Sequence, residues 1–292
     1  MKKIIFLLSV VFLFSCEKEI ELKVPPQKPR LVLNSLFESG YHIKVNLSES
    51  KLITDTLKPL GDGVTVRLNY GGSSERLRYT GNGNYESKRI IAHSGDEYTI
   101  EAEYDGLDKI IATDVVPEKT KCRLVNFIPE AGIDENGDLF SEIDIEFNDD
   151  PHVTNYYEIG LSRYVYFNEV EYTTWYLGYL ESKDPYVLNE GDKDYWYQNI
   201  LLRDEMFNGK KVRLKCTTGY QKDYDKKFKI HFRCISENYY KYKKKWMRHY
   251  ANQGTDIWDG TGNPVMLYSN IENGYGIFAA YTEQRITIDI PQ

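Results

Sequence analysis

The chain is poor in the residues on which common metal, nucleophile and disulfide sites depend. Four cysteines and five histidines are present among 292 residues. The sequence contains no H-E-x-x-H, C-x-x-C or G-x-S-x-G pattern, and these are signatures of zinc, thiol and serine-hydrolase sites. Its many acidic residues do not single out a catalytic pair. We therefore predict a protein that is not an enzyme, with no catalytic residues, no metal site and no cofactor.

Positive charge and long apolar stretches are also scarce. The net charge is −7 at pH 7, and it becomes −9 when Lys2 and Lys3 are left out. Nucleic acids bind basic surfaces, so we expect no nucleic-acid partner. The apolar stretch at residues 4–14 is shorter than the roughly 20 residues that a membrane-spanning helix needs.

The amino terminus has the order of features of a secretory signal. The cationic residues 1–3 are followed by the apolar stretch 4–14 and by the small Ser15. Residues 13–16, Leu-Phe-Ser-Cys, resemble the bacterial lipobox, although Phe14 stands where a smaller residue is usual. We predict that residues 1–15 are a lipoprotein signal peptide and that lipid on Cys16 anchors the protein to a membrane. The alternative is an ordinary secreted protein.

Residues 16–29 are predicted to be a lipidated tether. Residues 17–21 alternate acids with Lys18 and are similar to surface-export signals of Bacteroidota lipoproteins, although a merely polar tether fits them equally. Three prolines at positions 25, 26 and 29 favour an extended, semi-rigid spacer. We expect an outer-membrane, lipid-anchored protein that faces the cell exterior.

Residues 30–117 are predicted to form an Ig/transthyretin-like β-sandwich. Apolar and polar residues alternate at 43–48, 64–69 and 98–102, which is the period of half-buried strands. Glycine-rich turns separate these strands, and no helical pattern interrupts them.

Residues 118–292 are predicted to form a second β-rich domain, which gives an all-β fold class. Its expected strands are residues 156–166, 173–180, 212–216, 228–234 and 286–290, while residues 181–200 are expected to form a loop or irregular hairpin.

One amphipathic helix is predicted at residues 236–253. Ser236 can act as its N-cap, and Tyr239, Tyr242, Trp246 and Tyr250 have the spacing of one helical face. The lysine-rich remainder of the helix is either a solvated surface or a site for an anionic partner.

Cysteine is expected to contribute no disulfide. With Cys16 lipidated, an odd number remains, namely Cys122, Cys216 and Cys234. We expect the last two on consecutive strands of one hairpin, several residues out of register and too far apart to join. The prediction is three free, mostly buried thiols.

Two partial motifs have simpler interpretations. Residues 274–279 match G-x-G-x-x-A, but no strand–turn–helix unit is predicted around them, so we interpret them as a strand with closely packed glycines. Residues 134–138 place Asp134, Asn136 and Asp138 at alternate positions, as a calcium loop does, but Leu139 and Ile145 replace its glycine and glutamate. We predict a solvated turn, with weak calcium binding as the alternative.

Several segments occur in a specific order along the chain: residues 31–35, 149–151, 155–157, 204–210, 236–242, 263–264 and 269–278. Together with the lipobox they resemble the Bacteroidota lipoproteins grouped as domain-of-unknown-function family 4249. The resemblance implies an all-β, two-part fold with one helix and a genomic setting beside TonB-dependent receptors. It supplies no catalytic residues and no named ligand.

The resulting functional prediction is a non-enzymatic accessory or ligand-binding component of a TonB-dependent nutrient uptake system. Its expected partners are a TonB-dependent outer-membrane receptor, a peptide or glycan ligand, and the membrane through Cys16. The alternatives are a structural or assembly lipoprotein of the envelope and a hydrolase with an unrecognised site. The candidate ligand-binding residues are the aromatics of the segment 172–200: Trp175, Tyr176, Tyr179, Tyr195, Trp196 and Tyr197.

Overall fold

The computed structural model describes residues 28–51, 60–167, 170–174, 179–190, 199–222, 224–253 and 265–290. The predicted all-β class is confirmed, since about 56% of the chain is strand and 10% is helix. Cys16 and the predicted signal and tether up to residue 27 lie outside the described residues.

The described elements, in chain order, are β1 (Leu31–Glu38), β2 (His42–Glu49), β3 (Thr65–Tyr70), β4 (Ser73–Arg76), β5 (Arg78–Gly81), β6 (Asn84–Ile91), β7 (Glu97–Glu103), β8 (Ile110–Val115), β9 (Cys122–Ile133), β10 (Leu139–Asn148), β11 (Tyr156–Phe167), β12 (Val170–Thr174), α1 (Pro185–Asn189), β13 (Ile200–Arg203), β14 (Lys211–Gly219), β15 (Asp225–Ile235), α2 (Glu237–Gln253) and β16 (Tyr275–Asp289).

The strands form three sheets that pack in sandwich-like pairs. A nine-stranded sheet has the order β12-β11-β15-β16-β1-β2-β6-β5, with β13 also paired to β11. The sheet β4-β3-β7-β8 packs on its amino-terminal part, and the sheet β14-β10-β9 packs on its carboxyl-terminal part. Alternate side chains enter the core along strands such as β1, where Leu31 and Leu33 are fully buried.

Strand β16 belongs to both sandwiches. Its first half pairs in parallel with β1, and its second half pairs antiparallel with β15. Phe278 and Ala280 enter the first core, whereas Ile288 enters the second. The first sandwich therefore draws a strand from beyond residue 117.

The glycines at the start of β16 permit this parallel pairing. Gly276 has a φ of +110°, and a Cβ there would collide with the backbone carbonyl oxygen of Leu33. A Cβ on Gly274 would lie 2.6 Å from the carbonyl oxygen of Leu31. The interpretation of residues 274–279 as a closely packed strand is confirmed, and β16 begins eleven residues before the predicted Ile286.

Helix α2 lies on the face of the large sheet that points away from both cores. The predicted N-cap is confirmed, because the amide of Tyr239 donates to the hydroxyl of Ser236 at 3.2 Å. Of the four residues predicted on one face, Tyr239 is buried, Tyr242 and Trp246 pack against the buried cluster, and Tyr250 is 54% exposed. Tyr240 and Met247 are also buried. Lys243 of this helix lies 3.7 Å from Glu158 of the sheet, and Lys244 lies 2.8 Å from Glu190 at the end of α1.

The three cysteines are free and buried, as predicted. The expected hairpin between the strands of Cys216 and Cys234 is wrong. Strand β14 pairs with β10, while β15 pairs with β11 and β16, so the two strands belong to different sheets.

Two local predictions in the second part differ from the structure. Residues 181–200 contain the short helix α1. Asp184 is its N-cap, and the Asp184 carboxylate accepts a hydrogen bond from the amide of Tyr186 at 3.0 Å. The strand expected at residues 173–180 ends at Thr174 in its described part, and Tyr179 and Leu180 lie outside any strand.

The loop at residues 134–138 is the predicted turn. One carboxylate oxygen of Asp134 accepts hydrogen bonds from the amides of Asn136 and Asp138, each at 2.9 Å. The aspartate therefore closes its own loop through backbone amides.

Candidate functional site

The outward-facing side of β11, β15 and β16 is unusually polar for a sheet surface beside a packed helix. On β15, Phe228, Ile230, Phe232 and Cys234 belong to the second core. The residues between them are Lys229, His231 and Arg233, which strand alternation places on the opposite face.

Cross-strand pairing assembles these side chains into three rows, which we call the polar ladder. Successive rows are Glu158–Arg233–Glu283, Gly160–His231–Arg285 and Ser162–Lys229–Thr287. Directly opposed residues share a face, with Cβ atoms about 5 Å apart. The register therefore places acids, cations, one histidine and one serine within reach of one another.

A groove runs over this ladder, with a cavity volume of about 480 Å³. Three cations line it, namely Lys229, Arg233 and Arg285. Tyr164 and Tyr281 form aromatic walls, over which the ammonium of Lys229 and the guanidinium of Arg233 lie at 4.7 Å and 5.1 Å from the ring centroids. We call this feature the outer-face groove.

Glu158 ties helix α2 to the sheet beside the groove. Its carboxylate accepts hydrogen bonds at 2.7 Å from Arg233 and from the hydroxyl of Tyr239, and at 2.9 Å from Asn199, with Lys243 at 3.7 Å. Burial opposes its ionisation, but the charges of Lys243 and Arg233 and these hydrogen bonds lower its pKa to about 2.

Glu283 is the second acid of the ladder, and its side chain is 1% exposed. It contacts His231 Nδ1 at 2.7 Å, Arg233 Nε at 3.2 Å and the guanidinium of Arg285. Burial raises its pKa, but the hydrogen bond from His231 and the charges of both arginines outweigh burial and lower the pKa to about 2. Glu283 is therefore a carboxylate at neutral pH.

The other ring nitrogen of His231 contacts the groove serine. His231 Nε2 lies 2.9 Å from Ser162 Oγ, so serine, histidine and glutamate form one continuous chain of hydrogen bonds. All three residues line the outer-face groove.

A second cavity of about 700 Å³ lies near the junction of the two sandwiches. Its wall includes Gln284, whose amide donates to the carbonyl of Cys122 at 2.7 Å and accepts from its amide at 3.0 Å. These bonds satisfy the backbone where β9 begins, so this part of the cavity wall has a structural role.

The predicted aromatic site is almost wholly outside the described residues. Trp175, Tyr176, Tyr195, Trp196 and Tyr197 fall in the segments 175–178 and 191–198, which the structure does not describe. Tyr179 is 39% exposed, and its hydroxyl lies close to Gly219 of β14. It does not line the outer-face groove, so these residues stay a prediction.

The groove residues were not predicted because the sequence alone does not show which strands pair. The available signal was the alternation on β15, where lysine, histidine and arginine separate core residues, and the similar alternation of Glu283, Arg285 and Thr287 on β16. Among the described residues, no group of three or more His, Cys, Asp or Glu side chains could hold a metal ion. Within the same part of the chain, no helix has the length and apolar character needed to cross a membrane.

Comparison with known proteins identifies the family of this chain but no ligand or reaction. No curated protein matches the chain. Among solved structures, the full-length major pilin SpaD from Corynebacterium diphtheriae is similar at 11% sequence identity and a TM-score of 0.17. The match covers 72% of this chain and 62% of the pilin, less than two thirds of the pilin's length. The family model described as a domain of unknown function, DUF4249, matches residues 17–287, and the chain therefore belongs to this family.

Proposed function

We propose that this protein is an outer-membrane lipoprotein, anchored through Cys16 and facing the cell exterior, that binds an anionic nutrient ligand for a TonB-dependent uptake system. The binding site is the outer-face groove. The observation that carries the proposal is a concave site with three cations and two tyrosine walls on a protein of net charge −7.

The three cations of the groove differ in whether they contact carboxylates of the protein itself. Arg233 contacts Glu158 and Glu283, and Arg285 contacts Glu38 and Glu283. Lys229 instead contacts the hydroxyl of Tyr164 and, among the described residues, no carboxylate within ion-pair distance. Lys229 is thus the cation with the most charge to offer a ligand.

The ligand chemistry follows from these walls. A carboxylate-bearing glycan or peptide would place its negative charge at Lys229 and an apolar face against Tyr164 or Tyr281. The proposed outer-membrane localisation rests on the predicted signal peptide, the lipobox ending at Cys16 and the proline-rich tether.

Binding can be tested on the full-length lipoprotein in detergent. The probes are a galacturonic-acid oligosaccharide and a peptide ending in two glutamates, each with an uncharged counterpart of galactose or glutamine. We expect a charged probe to bind and Lys229→Gln to weaken it about tenfold. Lys227→Gln, on the same strand and outside the groove lining, is the matched control. Equal binding of charged and uncharged probes, or of neither, would contradict the proposal.

The receptor partnership is tested separately. A tagged copy purified from native membranes should bring a TonB-dependent receptor with it, and replacing Cys16 with alanine should abolish membrane attachment. Recovery of an envelope-assembly protein in place of a receptor would favour the structural alternative.

A further inference from the structure

The hydrogen-bonded chain in the outer-face groove has the order and contacts of a nucleophile, a base and an orienting acid. From this geometry we propose that Ser162 is a nucleophile, activated by His231 and Glu283, that cleaves carboxylic esters of anionic molecules. The inference rests on the proposed function for the sign of the substrate's charge. Its chemistry goes beyond ligand binding, and it sets the structure against the sequence-based expectation of no enzymatic activity.

The proton positions follow from the contacts of Glu283. Its carboxylate is ionised and accepts hydrogen bonds, so His231 Nδ1, at 2.7 Å, must be the donor. In the neutral imidazole, Nε2 then carries the lone pair and accepts the hydroxyl proton of Ser162 at 2.9 Å. This is the tautomer that a general base needs, and Glu283 fixes it in the way that the acid of a catalytic triad does.

The three groups are held rigidly. Ser162, His231 and Glu283 stand on three neighbouring strands, β11, β15 and β16, in the interior of the large sheet. Arg233 and Arg285 hold the glutamate from two sides. Such fixed placement on strands is what keeps a nucleophile and its base aligned.

Positive charge is available where an oxyanion would form. Lys229 is the residue directly opposite Ser162 in the β11–β15 register, which places the two Cβ atoms about 5 Å apart on one face. Its ammonium and the hydroxyl of Tyr164, which it contacts, line the same groove. These are hydrogen-bond donors for a developing negative oxygen.

The reaction balances without a cofactor. The Ser162 oxygen attacks the ester carbonyl carbon, a C–O bond forms, and the hydroxyl proton passes to His231 Nε2. The bond from that carbon to the alcohol oxygen then breaks, and the departing oxygen takes the proton from Nε2. Water attacks the acyl-serine in the same way, which releases a carboxylic acid and restores the serine.

The experiment uses a fluorophosphonate probe and 4-nitrophenyl acetate on the full-length lipoprotein. We expect mass spectrometry to locate one phosphonyl adduct on Ser162, and we expect Ser162→Ala to lower ester hydrolysis at least a hundredfold. Ser141→Ala is the matched control, since Ser141 is a buried serine of the same sandwich whose hydroxyl donates to the carbonyl of Pro129. It should retain full labelling and full hydrolysis.

The outcomes separate this inference from the proposed function. Ser162→Ala removes one oxygen and leaves every cation of the groove in place, so it should still bind the charged probes. No adduct on Ser162 of the folded wild-type protein, or hydrolysis that survives in Ser162→Ala, overturns the nucleophile. Loss of charged-probe binding in Lys229→Gln alongside either result would leave the binding function standing.

Discussion

At the scale of single residues, three buried acids respond to pH in two opposite ways. Glu158 and Glu283 are surrounded by cations and ionise more readily than usual. Asp114 of β8 is buried among neutral donors, accepting from the amide of Ala280 at 2.7 Å and from Asn238 at 2.8 Å. Burial raises the pKa of Asp114 to about 6, against the hydrogen bonds that favour its charged form.

The raised pKa of Asp114 predicts a specific pH dependence. The folded state holds the proton of Asp114 more tightly than the unfolded state, in which the pKa is 3.8. The contribution of Asp114 to the free energy of unfolding therefore falls as pH rises from about 4 to 6 and is constant at higher pH. Relative to Asp114→Asn, the wild type should lose about 2 kcal/mol of unfolding free energy between pH 4.5 and 7.5. Urea unfolding of both proteins at the two pH values measures this difference. An unchanged difference, or one of opposite sign, would refute the assignment.

Glu158 should behave in the opposite way. Its folded pKa of about 2 lies below the ordinary 4.5, so its stabilising contribution is present above about pH 4.5 and is lost as pH falls towards 2. Glu158→Gln should cost about 3 to 5 kcal/mol at pH 7, because Arg233 and Lys243 lose a buried partner. Urea unfolding at pH 7 and pH 3 should show the cost shrinking with acid. The control is Glu205→Gln, which removes an exposed ion pair with Arg203. It should lower the free energy of unfolding by under about 1 kcal/mol at both pH values.

At the scale of elements, sequence patterns predicted strands far better than strand partners. The alternation on β2, β3 and β7 and the N-cap at Ser236 are local signals, and each element was predicted close to its place. Pairing depends on contacts remote in sequence, such as Leu33 with Gly276, which no local period encodes. The groove was missed for the same reason, because Ser162, His231 and Glu283 meet only after three distant strands align.

The parallel pairing of β1 and β16 makes a sharp prediction at Gly276. An alanine there would be strained at a φ of +110° and would push against the carbonyl oxygen of Leu33. We expect Gly276→Ala to destabilise the protein by about 2 to 5 kcal/mol. Gly106→Ala separates the two causes, since Gly106 has a φ of +82° but open space around its Cβ position. Thermal unfolding should place Gly106→Ala between the wild type and Gly276→Ala, and equal losses would exclude the carbonyl contact as a cause.

At the scale of the whole molecule, β16 joins the two sandwiches. The pattern of strands and turns in the sequence predicts these as two separate domains. It carries side chains into the first core, the second core and the cluster beneath α2, through Phe278, Ile288 and Ile277 respectively. Neither sandwich can lose this strand without exposing apolar surface in the other. We therefore expect the two to unfold in one cooperative transition.

Tryptophan fluorescence makes this cooperativity measurable, because all four tryptophans lie between residues 175 and 258. The described one, Trp246, packs against the cluster beneath α2. Leu68 is fully buried in the first core, and Leu68→Ala should cost about 2 to 5 kcal/mol through the cavity it leaves. If β16 couples the sandwiches, tryptophan fluorescence and circular dichroism should report the same lowered urea midpoint for Leu68→Ala. The two probes should then give the same loss in the free energy of unfolding. Val115→Ala, at a 45% exposed position of β8, should leave that midpoint nearly unchanged. A fluorescence midpoint that ignores Leu68→Ala would show that the two sandwiches unfold independently in spite of their shared strand.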